Sequence, residues 1–540
     1  MSRSRIFPRS PKARDRGHPQ MGGNMNRREF GLLAAQAAVA LPALALTEKL
    51  GSAAETGAPV YVVLWFDTED YMLPASDDVA KRLADFLTAQ SLRATFKIVG
   101  EKARVLEARH RTDVIAALNR HEIGYHSNTH SQQPTPAEYE SALDWDQGAE
   151  EFDRRERGGF DDVKRIFGHA PSCYGQPGVS WAPQPYATLK KWGVNVYLDD
   201  GQQVQLDGKP FWYGGLLNIF GIDAGQKLEP NADWTNIEAA RANFTAIHAQ
   251  MSAQPGGGLV SFMFHPTQFI SEVFWDAVNF AKGANPPRSE WKIQPQRSAA
   301  DQEHAFAYFE ALIRYMRTLP NVRFITATEA LAIYSDKALT RHFEARELQQ
   351  IAAEVSPHVD FQVRGNYALS ASEVFVLLNS AVADRVRTGN FAAAVLGDTP
   401  YGPACSPTDL ALIESGEVSW SQFSRTTLDV AAILNRTGQV PNVVWLGGSA
   451  VTPESYLVAL AGVATRLLAG QPTPDTVKLA PADLATARYV AKDSVGIWNW
   501  PIFPPGFHAP HLMELARLQA WTLKPALLPG SKGLRESSSE

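Results

Sequence analysis

Between residues 58 and 338, short apolar runs alternate with segments of helical periodicity. The first run, VYVVLWF over 60–66, is continuous and rich in β-branched residues, as expected for a strand buried on both faces. Further strand-like runs lie at 94–99, 122–125, 171–175, 194–198, 259–264 and 322–326. Helical patterns lie at 77–90, 101–120, 136–155, 159–168, 183–192, 236–251, 300–318 and 327–334. This alternation predicts an α/β fold with a parallel sheet, and the number of units favours closure of the sheet into a barrel.

After about residue 340 the sequence becomes mostly helical. The helical windows lie at 342–355, 370–387, 422–436, 453–469, 481–491 and 510–522. A domain boundary is expected where the predicted secondary structure changes in this way. We therefore predict an N-terminal extension with an export signal over 1–57, a barrel over 58–338, a mostly α-helical accessory domain over 339–528 and a disordered polar tail over 529–540.

The segment before the barrel has the features of an export signal. Arg27 and Arg28 precede an apolar run from Gly31 to Leu46, which ends in the small-residue site Ala43-Leu44-Ala45. A twin arginine in this position is typical of the Tat route, so we expect a periplasmic or extracellular protein. The run of 16 residues is shorter than the ~20 that span a bilayer, and we expect no transmembrane anchor after signal removal.

Charge and cysteine content exclude some classes of function. The formal net charge is −6 and no region of the mature chain is strongly basic, so we expect no nucleic-acid partner. The two cysteines, Cys173 and Cys405, are too few for a disulfide framework and lie in no zinc-type pair. We expect them to remain unpaired, with a single bridge as the alternative.

Three acids lie directly behind the first predicted strand, at Asp67, Glu69 and Asp70. Carboxylates this close repel one another unless a cation binds them, and a divalent metal ion meets that need. A turn of solvated acids is the alternative interpretation.

Histidines end two further predicted strands. His126 and His130 follow EIGY, and their i, i+4 spacing would place both imidazoles on one side of a helical turn, where they could share a metal ion. His265 ends LVSFMFHP, where it could act as a general acid. A surface pair and a core histidine are the alternatives. Because the strand ends of a parallel barrel share one mouth, these groups together indicate a metal-assisted hydrolase.

These segments resemble the motifs of the polysaccharide deacetylases, the NodB-type carbohydrate esterases. FDTED resembles the first motif, HEIGYHSNTH the second and LVSFMFHP the last, and the resemblance covers about residues 58–335. It implies a distorted β/α barrel of about seven strands. It also implies a metal-dependent hydrolase that removes acetyl groups from an amino-sugar polysaccharide or cell-wall glycan, with one divalent ion, zinc by first choice.

The resemblance also assigns roles to individual residues. Asp67 would be the catalytic base and His265 the acid that protonates the leaving amine. The metal ligands would be Glu69, with Asp70 as second choice, His126 and His130. Substrate would be bound by Tyr174, Gly175, Pro177 and Trp181.

One segment departs from the family pattern. The family has an Arg ahead of a Pro-Gly pair, and this chain has Gly175 at that place, in Tyr174-Gly175-Gln176-Pro177-Gly178. In the family this Arg holds the catalytic Asp charged and oriented. Another cation would have to substitute, or the loop on the substrate side would have to be remodelled, and otherwise the barrel would be inactive. Asp199 or Asp200, behind the predicted strand NVYL, could orient a catalytic side chain, and an ordinary turn is the alternative.

The accessory region leaves several functions open. Residues 420–470 are faintly similar to pseudomurein-binding repeats, which would make this region a glycan-binding domain. Trp498, Trp500 and Phe503 would then stack on sugar rings, or else fill the core. A non-catalytic carbohydrate-binding protein on a degenerate barrel is an alternative, motivated by Gly175. A hydrolase of a small cyclic amide is another, supported by fold analogy alone.

Overall fold

The computed structural model describes residues 57–222, 234–407 and 410–529. The predicted export signal, including Arg27 and Arg28, and the chain beyond residue 529 lie outside them. All described residues belong to one of the two units into which the chain divides, 55–540. No helix among them combines the length and apolar composition that a bilayer crossing requires.

The first 335 residues contain nine strands and nine helices within the described ranges. The strands are Val60–Thr68 (β1), Thr95–Ile98 (β2), Glu122–Tyr125 (β3), Cys173–Tyr174 (β4), Val196–Asp199 (β5), Phe211–Tyr213 (β6), Leu216–Phe220 (β7), Gly258–Phe264 (β8) and Val322–Ile325 (β9). The helices are Ala75–Ala89 (α1), Gly100–Ala108 (α2), Thr112–Leu118 (α3), Pro136–Glu140 (α4), Trp145–Phe167 (α5), Pro185–Lys191 (α6), Ile237–Ser252 (α7), Ala299–Met316 (α8) and Ala327–Ile333 (α9). Short 3₁₀ turns occupy much of the long loop between β8 and α8.

Seven parallel strands form the barrel, in the order β7-β5-β4-β3-β2-β1-β8. The sheet curls so that its two ends approach each other, and the Ser261 N–H of β8 donates to the Ile222 carbonyl just beyond β7 at 2.8 Å. Strand β9 pairs with the first half of β1, and β6 lies antiparallel beside β7. The predicted distorted barrel of about seven strands is confirmed.

The continuous apolar character of β1 follows from two cores, one on each side of the strand. Val62, Leu64 and Phe66 pack against the outer helices, whereas Val63 and Trp65 fill the barrel interior. Because successive side chains of a strand point to opposite faces, a strand between two apolar layers needs apolar residues at every position. The strand ends where polar groups begin, at the barrel mouth.

Several predicted elements need correction. The hairpin β6–β7 was missed, although its turn, Gly214-Gly215, has positive φ at both residues, the conformation that two-residue hairpins favour. The helix predicted over 101–120 is two helices, α2 and α3, separated by His110 at φ 56°. The helices predicted at 136–155 and 159–168 are instead the short α4 and the 23-residue α5. Gly159 inside α5 lets Tyr125 approach, because a Cβ there would lie 2.6 Å from the Tyr125 hydroxyl.

The second half contains five helices and eleven short strands within the described ranges. The helices are Ala345–Ala353 (α10), Ala371–Thr388 (α11), Trp420–Thr437 (α12), Pro453–Leu468 (α13) and Pro510–Gln519 (α14). The strands are His342–Phe343 (β10), His358–Val359 (β11), Gln362–Arg364 (β12), Tyr367–Leu369 (β13), Ala394–Val395 (β14), Gly416–Ser419 (β15), Val444–Leu446 (β16), Ser449–Val451 (β17), Thr476–Leu479 (β18), Asp483–Leu484 (β19) and Lys524–Pro525 (β20). The helix predicted over 481–491 is wrong, since β19 and a 3₁₀ turn occupy that stretch.

The end of the chain returns to the barrel. Trp498, Phe503 and Leu512 belong to the hydrophobic cluster that the barrel strands share with their outer helices. Strand β20 pairs antiparallel with β6. Trp498 and Phe503 are therefore core residues and the interpretation of them as exposed sugar platforms is wrong, whereas Trp500 is half-buried at the barrel mouth.

Candidate metal centre and active site

Glu69, His126 and His130 converge at the carboxyl ends of β1 and β3. One ligand atom from each lies within 4.8 Å of the other two, and all three side chains are buried. His130 Nε2 lies 2.7 Å and His126 Nε2 3.4 Å from Glu69 Oε2. The histidines are not on a helical turn, as their spacing suggested. Instead Ser127 and His130 adopt positive φ, 64° and 58°, in a tight loop that turns both imidazoles toward Glu69.

A second layer of contacts orients these three side chains. His126 Nδ1 lies 3.0 Å from the Gly175 carbonyl, and His130 Nδ1 lies 2.6 Å from Ser131 Oγ. The hydroxyl of Ser131 donates in turn to Asp276. The indole N–H of Trp275 donates to Glu69 Oε1 at 2.8 Å. Engaging Nδ1 in this way leaves Nε2 of each imidazole to present its lone pair.

The remaining atoms of this cluster fit a metal ion. Among the described residues, neither buried Nε2 has a partner in hydrogen-bond geometry. Buried polar atoms without such a partner are rare, and together with Glu69 these atoms could hold a metal ion. Glu69 is favoured as an anion, because the imidazoles outweigh burial and hold its pKa well below the usual range. Burial lowers the pKa of His126 and keeps it neutral. Burial acts in the same direction on His130, but Glu69 raises the pKa of that imidazole.

Asp67 lies beside this cluster and is held by a lysine. Lys97 of β2, fully buried in the barrel interior, places its Nζ 3.0 Å from Asp67 Oδ1 and 2.9 Å from Asp199 Oδ2. Burial alone would lower the pKa of Lys97, but the two carboxylates raise it, so the side chain is an ammonium. Sequence analysis missed Lys97, although a lysine inside the apolar strand TFKI was the available signal.

Gly175 provides the space that Lys97 occupies. A Cβ at residue 175 would lie 2.0 Å from Lys97 Nζ and 2.5 Å from Asp199 Oδ2. A cation therefore stands next to Asp67 even though no arginine precedes Pro177. Asp199 supports that cation and itself accepts from Gln176 Nε2 at 2.9 Å. Burial raises the pKa of Asp199 to about 7.

His265 completes the group of polar residues at the barrel mouth. It follows β8, whose neighbour is β1, and its Nε2 lies 3.6 Å from Asp67 Oδ2. Its ring meets Phe274 edge-on with centroids 4.9 Å apart. His265 is partly exposed and lines the same cavity as Asp67 and Glu69. The structure thus brings together the acid, base and ligand candidates from three separate strand ends.

Asp70 does not join the metal cluster. Its carboxylate accepts four hydrogen bonds, from Met72 N, Leu73 N, Thr267 Oγ1 and Gln294 Nε2. Both oxygens are engaged in fixing the loop behind β1. Of the two acids behind Asp67, only Glu69 reaches the imidazoles, and the choice of Asp70 as a ligand is wrong.

The residues expected to bind substrate are mostly core residues. Tyr174 packs among aromatic rings, and Trp181 is fully buried with its indole N–H directed at Tyr186. Pro177 is buried as well, and Gly175 contributes its carbonyl to His126. The following residues, Gly178 and Val179, line the cavity instead. The part of this loop that reaches the cavity is therefore Gly178 and Val179, and a role of the loop in binding substrate stays a prediction.

Comparisons with known proteins give distant likenesses. No family model and no curated protein matches the sequence, and the similarity of 420–470 to pseudomurein-binding repeats finds no support. A Mycobacterium smegmatis protein named as a polysaccharide deacetylase is 16% identical, with 51% of this chain and 90% of that chain covered and a TM-score of 0.34. The Xyl-CE4 domain of a multidomain xylanase from the hindgut metagenome of Trinervitermes trinervoides is 10% identical, with 51% and 92% covered and a TM-score of 0.28.

A pseudoenzyme also appears among the matching structures. A CE4 family pseudoenzyme from Bacillus anthracis is 13% identical, with 50% of this chain and 65% of that chain covered and a TM-score of 0.26. These likenesses are too distant to assign an activity, which depends on the geometry of the site itself.

Proposed function

We propose that this chain is a metal-dependent hydrolase that removes acetyl groups from the amino sugars of a glycan. The supporting observation is the convergence of Glu69, His126 and His130 beside Asp67 and His265 at one mouth of the barrel. The predicted export signal adds a location outside the cytoplasm to this proposal.

Glu69, His126 and His130 would hold one divalent ion. A carboxylate with two imidazoles suits zinc, and other first-row divalent ions also accept this set. When bound, such an ion polarises a carbonyl oxygen and acidifies water.

Asp67 would act as the general base. Lys97 fixes its Oδ1, and its Oδ2 faces His265 on the side of the cavity. As water attacks the acetamide carbon, Asp67 takes the proton that the water loses. The ammonium of Lys97 pairs with this carboxylate and orients it for the transfer.

His265 would act as the general acid. An amide nitrogen leaves poorly without a proton, so the C–N bond breaks as an imidazolium donates one to nitrogen. His265 follows β8 on one side of β1, whereas the imidazole pair follows β3, which lies beyond β2 on the other side of β1. Water and the acetamide are consumed, and acetate and a free amine are released.

The alternative of a degenerate, non-catalytic barrel was motivated by Gly175 in place of Arg. Lys97 supplies a cation beside Asp67 and Gly175 provides its space, which supports the catalytic alternative. Hydrolysis of a small cyclic amide uses the same groups and remains the second candidate, to be distinguished by substrate.

The test compares metal content and acetate release in the full chain and two histidine variants. His126→Ala should lose bound zinc and activity, whereas His169→Ala, which changes an exposed histidine of the same barrel, should keep both. Elemental analysis and an acetate assay on chitin oligomers provide the readouts. Equal zinc in the wild-type and His126→Ala proteins would remove the proposed metal site. Bound zinc without acetate release from any acetylated sugar would remove the proposed reaction.

A further inference from the structure

The cavity above the site is small and partly closed. Its volume is about 440 Å³, toward the lower end of the range of roughly 300–1,000 Å³ that small-molecule pockets occupy. Asp67, Glu69 and His265 form its floor. Gly178 and Val179 form one wall, and Phe274, Asp276 and Ala277 form the wall on the side of β8.

A third wall comes from a distant part of the chain. Asn499, Trp500 and Pro501, more than 200 residues beyond β8, line the cavity directly. The ring of Trp500 meets His130 edge-on at 5.5 Å, and a Cβ on Gly178 would lie 2.5 Å from that ring. This segment therefore spans the mouth from the β3 loop to the β4 loop.

The third wall is fixed in place by hydrogen bonds and packing. The Lys282 N–H donates to the Pro501 carbonyl at 2.8 Å, which joins the segment to the loop behind β8. Gln133 Nε2 donates to the Ile502 carbonyl at 3.1 Å, and Ile502 is completely buried. The segment is therefore held from two sides, and it bounds the cavity along this part of the mouth.

The cavity is also strongly acidic. Its lining contains five carboxylates, those of Asp67, Glu69, Asp199, Asp200 and Asp276, and no lysine or arginine among the described residues. Lys97 beneath it and one divalent ion would together offset three of these charges. Burial also raises the pKa of Asp199 to about 7 and that of Asp276 to about 6, which reduces the negative charge that remains near neutral pH. A ligand carrying its own negative charge would be repelled, whereas a neutral or cationic one would not.

Resting on the deacetylase function proposed above, we propose that this site accepts the end of a short, non-anionic amino sugar, with one sugar ring against Trp500. The occupant is a mono- or disaccharide unit, free or at a chain end, and not the interior of a polymer. Trp500 is the specificity-determining residue, because it supplies both the closing wall and an aromatic face beside the metal ligands.

The experiment measures binding, so that it does not depend on turnover. The full chain carries His265→Gln, so that the sugar is not hydrolysed during the measurement, and it is loaded with zinc. N-acetylglucosamine, its disaccharide and its hexasaccharide are then titrated into this protein in a calorimeter. We expect the disaccharide and hexasaccharide to bind within about twofold of each other. We expect N-acetylmuramic acid, the anionic counterpart of the monosaccharide, to bind more weakly than N-acetylglucosamine.

Variants of Trp500 test its role. Trp500→Ala should weaken binding by roughly two- to tenfold, and Trp500→Phe should restore part of it, because an aromatic face remains. Trp445→Ala, at a tryptophan 50% exposed on β16, is the matched control and should change nothing. Affinity that rises more than roughly tenfold from disaccharide to hexasaccharide would show an open groove and overturn the proposal. So would the absence of binding by any of these sugars, or an unchanged affinity in Trp500→Ala. Absent acetate release with normal binding would instead remove only the proposed reaction.

Discussion

Replacing Lys97 by methionine removes the buried charge that holds Asp67. The Nζ lies 3.0 Å from Asp67 Oδ1, 2.9 Å from Asp199 Oδ2 and 4.1 Å from the centre of the Trp65 ring. At these distances and an effective dielectric constant of about 20, each ion pair is worth about 5–6 kcal/mol before desolvation. Because the variant leaves both carboxylates buried without their cation, we expect the free energy of unfolding to fall by about 3–5 kcal/mol.

Urea denaturation measures that loss, and a double variant tests its cause. Lys97→Met/Asp199→Asn removes one of the two orphaned charges and should recover part of the stability, with a coupling energy of at least about 1 kcal/mol. Lys524→Met is the matched control, since Lys524 is equally buried and bridges Asp336 and Glu373 at 2.6 and 2.7 Å, remote from the site. Both lysine variants should be destabilised.

Only Lys97→Met should also lose catalysis. A misplaced base costs up to about 10²-fold in rate, so we expect kcat to fall by that order while bound zinc is unchanged. Steady-state kinetics at a temperature below unfolding, with elemental analysis of the same samples, provide the readouts. A Lys97→Met protein that keeps kcat within about twofold, or that loses less than about 1 kcal/mol of stability, would refute the role assigned to Lys97.

Two further predictions concern His265 and Glu156. His265→Gln should lower kcat by about 10²- to 10⁴-fold without changing bound zinc, and loss of zinc would contradict a role as general acid. Burial raises the pKa of Glu156 from 4.5 to about 7, although the Tyr125 hydroxyl and the Asn128 N–H donate hydrogen bonds to its carboxylate. The contribution of Glu156 to stability is therefore complete at a pH below its pKa in the unfolded chain. It is lost as the pH rises through its pKa in the folded protein. Glu156→Gln should therefore gain up to about 3 kcal/mol relative to wild type between about pH 5 and pH 8 in urea denaturation, and a difference independent of pH would refute this assignment.

The sequence predicted the barrel and the floor of its site because both depend on local patterns. Burial of β1 between two cores requires apolar residues at consecutive positions, and this requirement is visible in VYVVLWF. The ends of parallel strands face one mouth, so Asp67, His126 and His265 were expected there together. The hairpin β6–β7 was also within reach of sequence analysis, since its Gly-Gly turn lies between two apolar runs.

Other features were decided by contacts between residues far apart in the chain. Glu69 and Asp70 are neighbours in sequence, but side chains from the β8 loop bind Asp70 and leave only Glu69 for the imidazoles. Lys97 reaches Asp199 across 102 residues. Trp500 reaches Gly178 across an even longer separation.

The strand pattern and the strand-end positions of the polar groups were thus determined by the sequence itself, because side-chain periodicity is a property of each segment alone. The cation beside Asp67, the ligand chosen between two acids and the third wall of the cavity were decided only by the tertiary structure. Such contacts depend on which distant segments pack against each other, and the side-chain periodicity of a single segment does not contain that information.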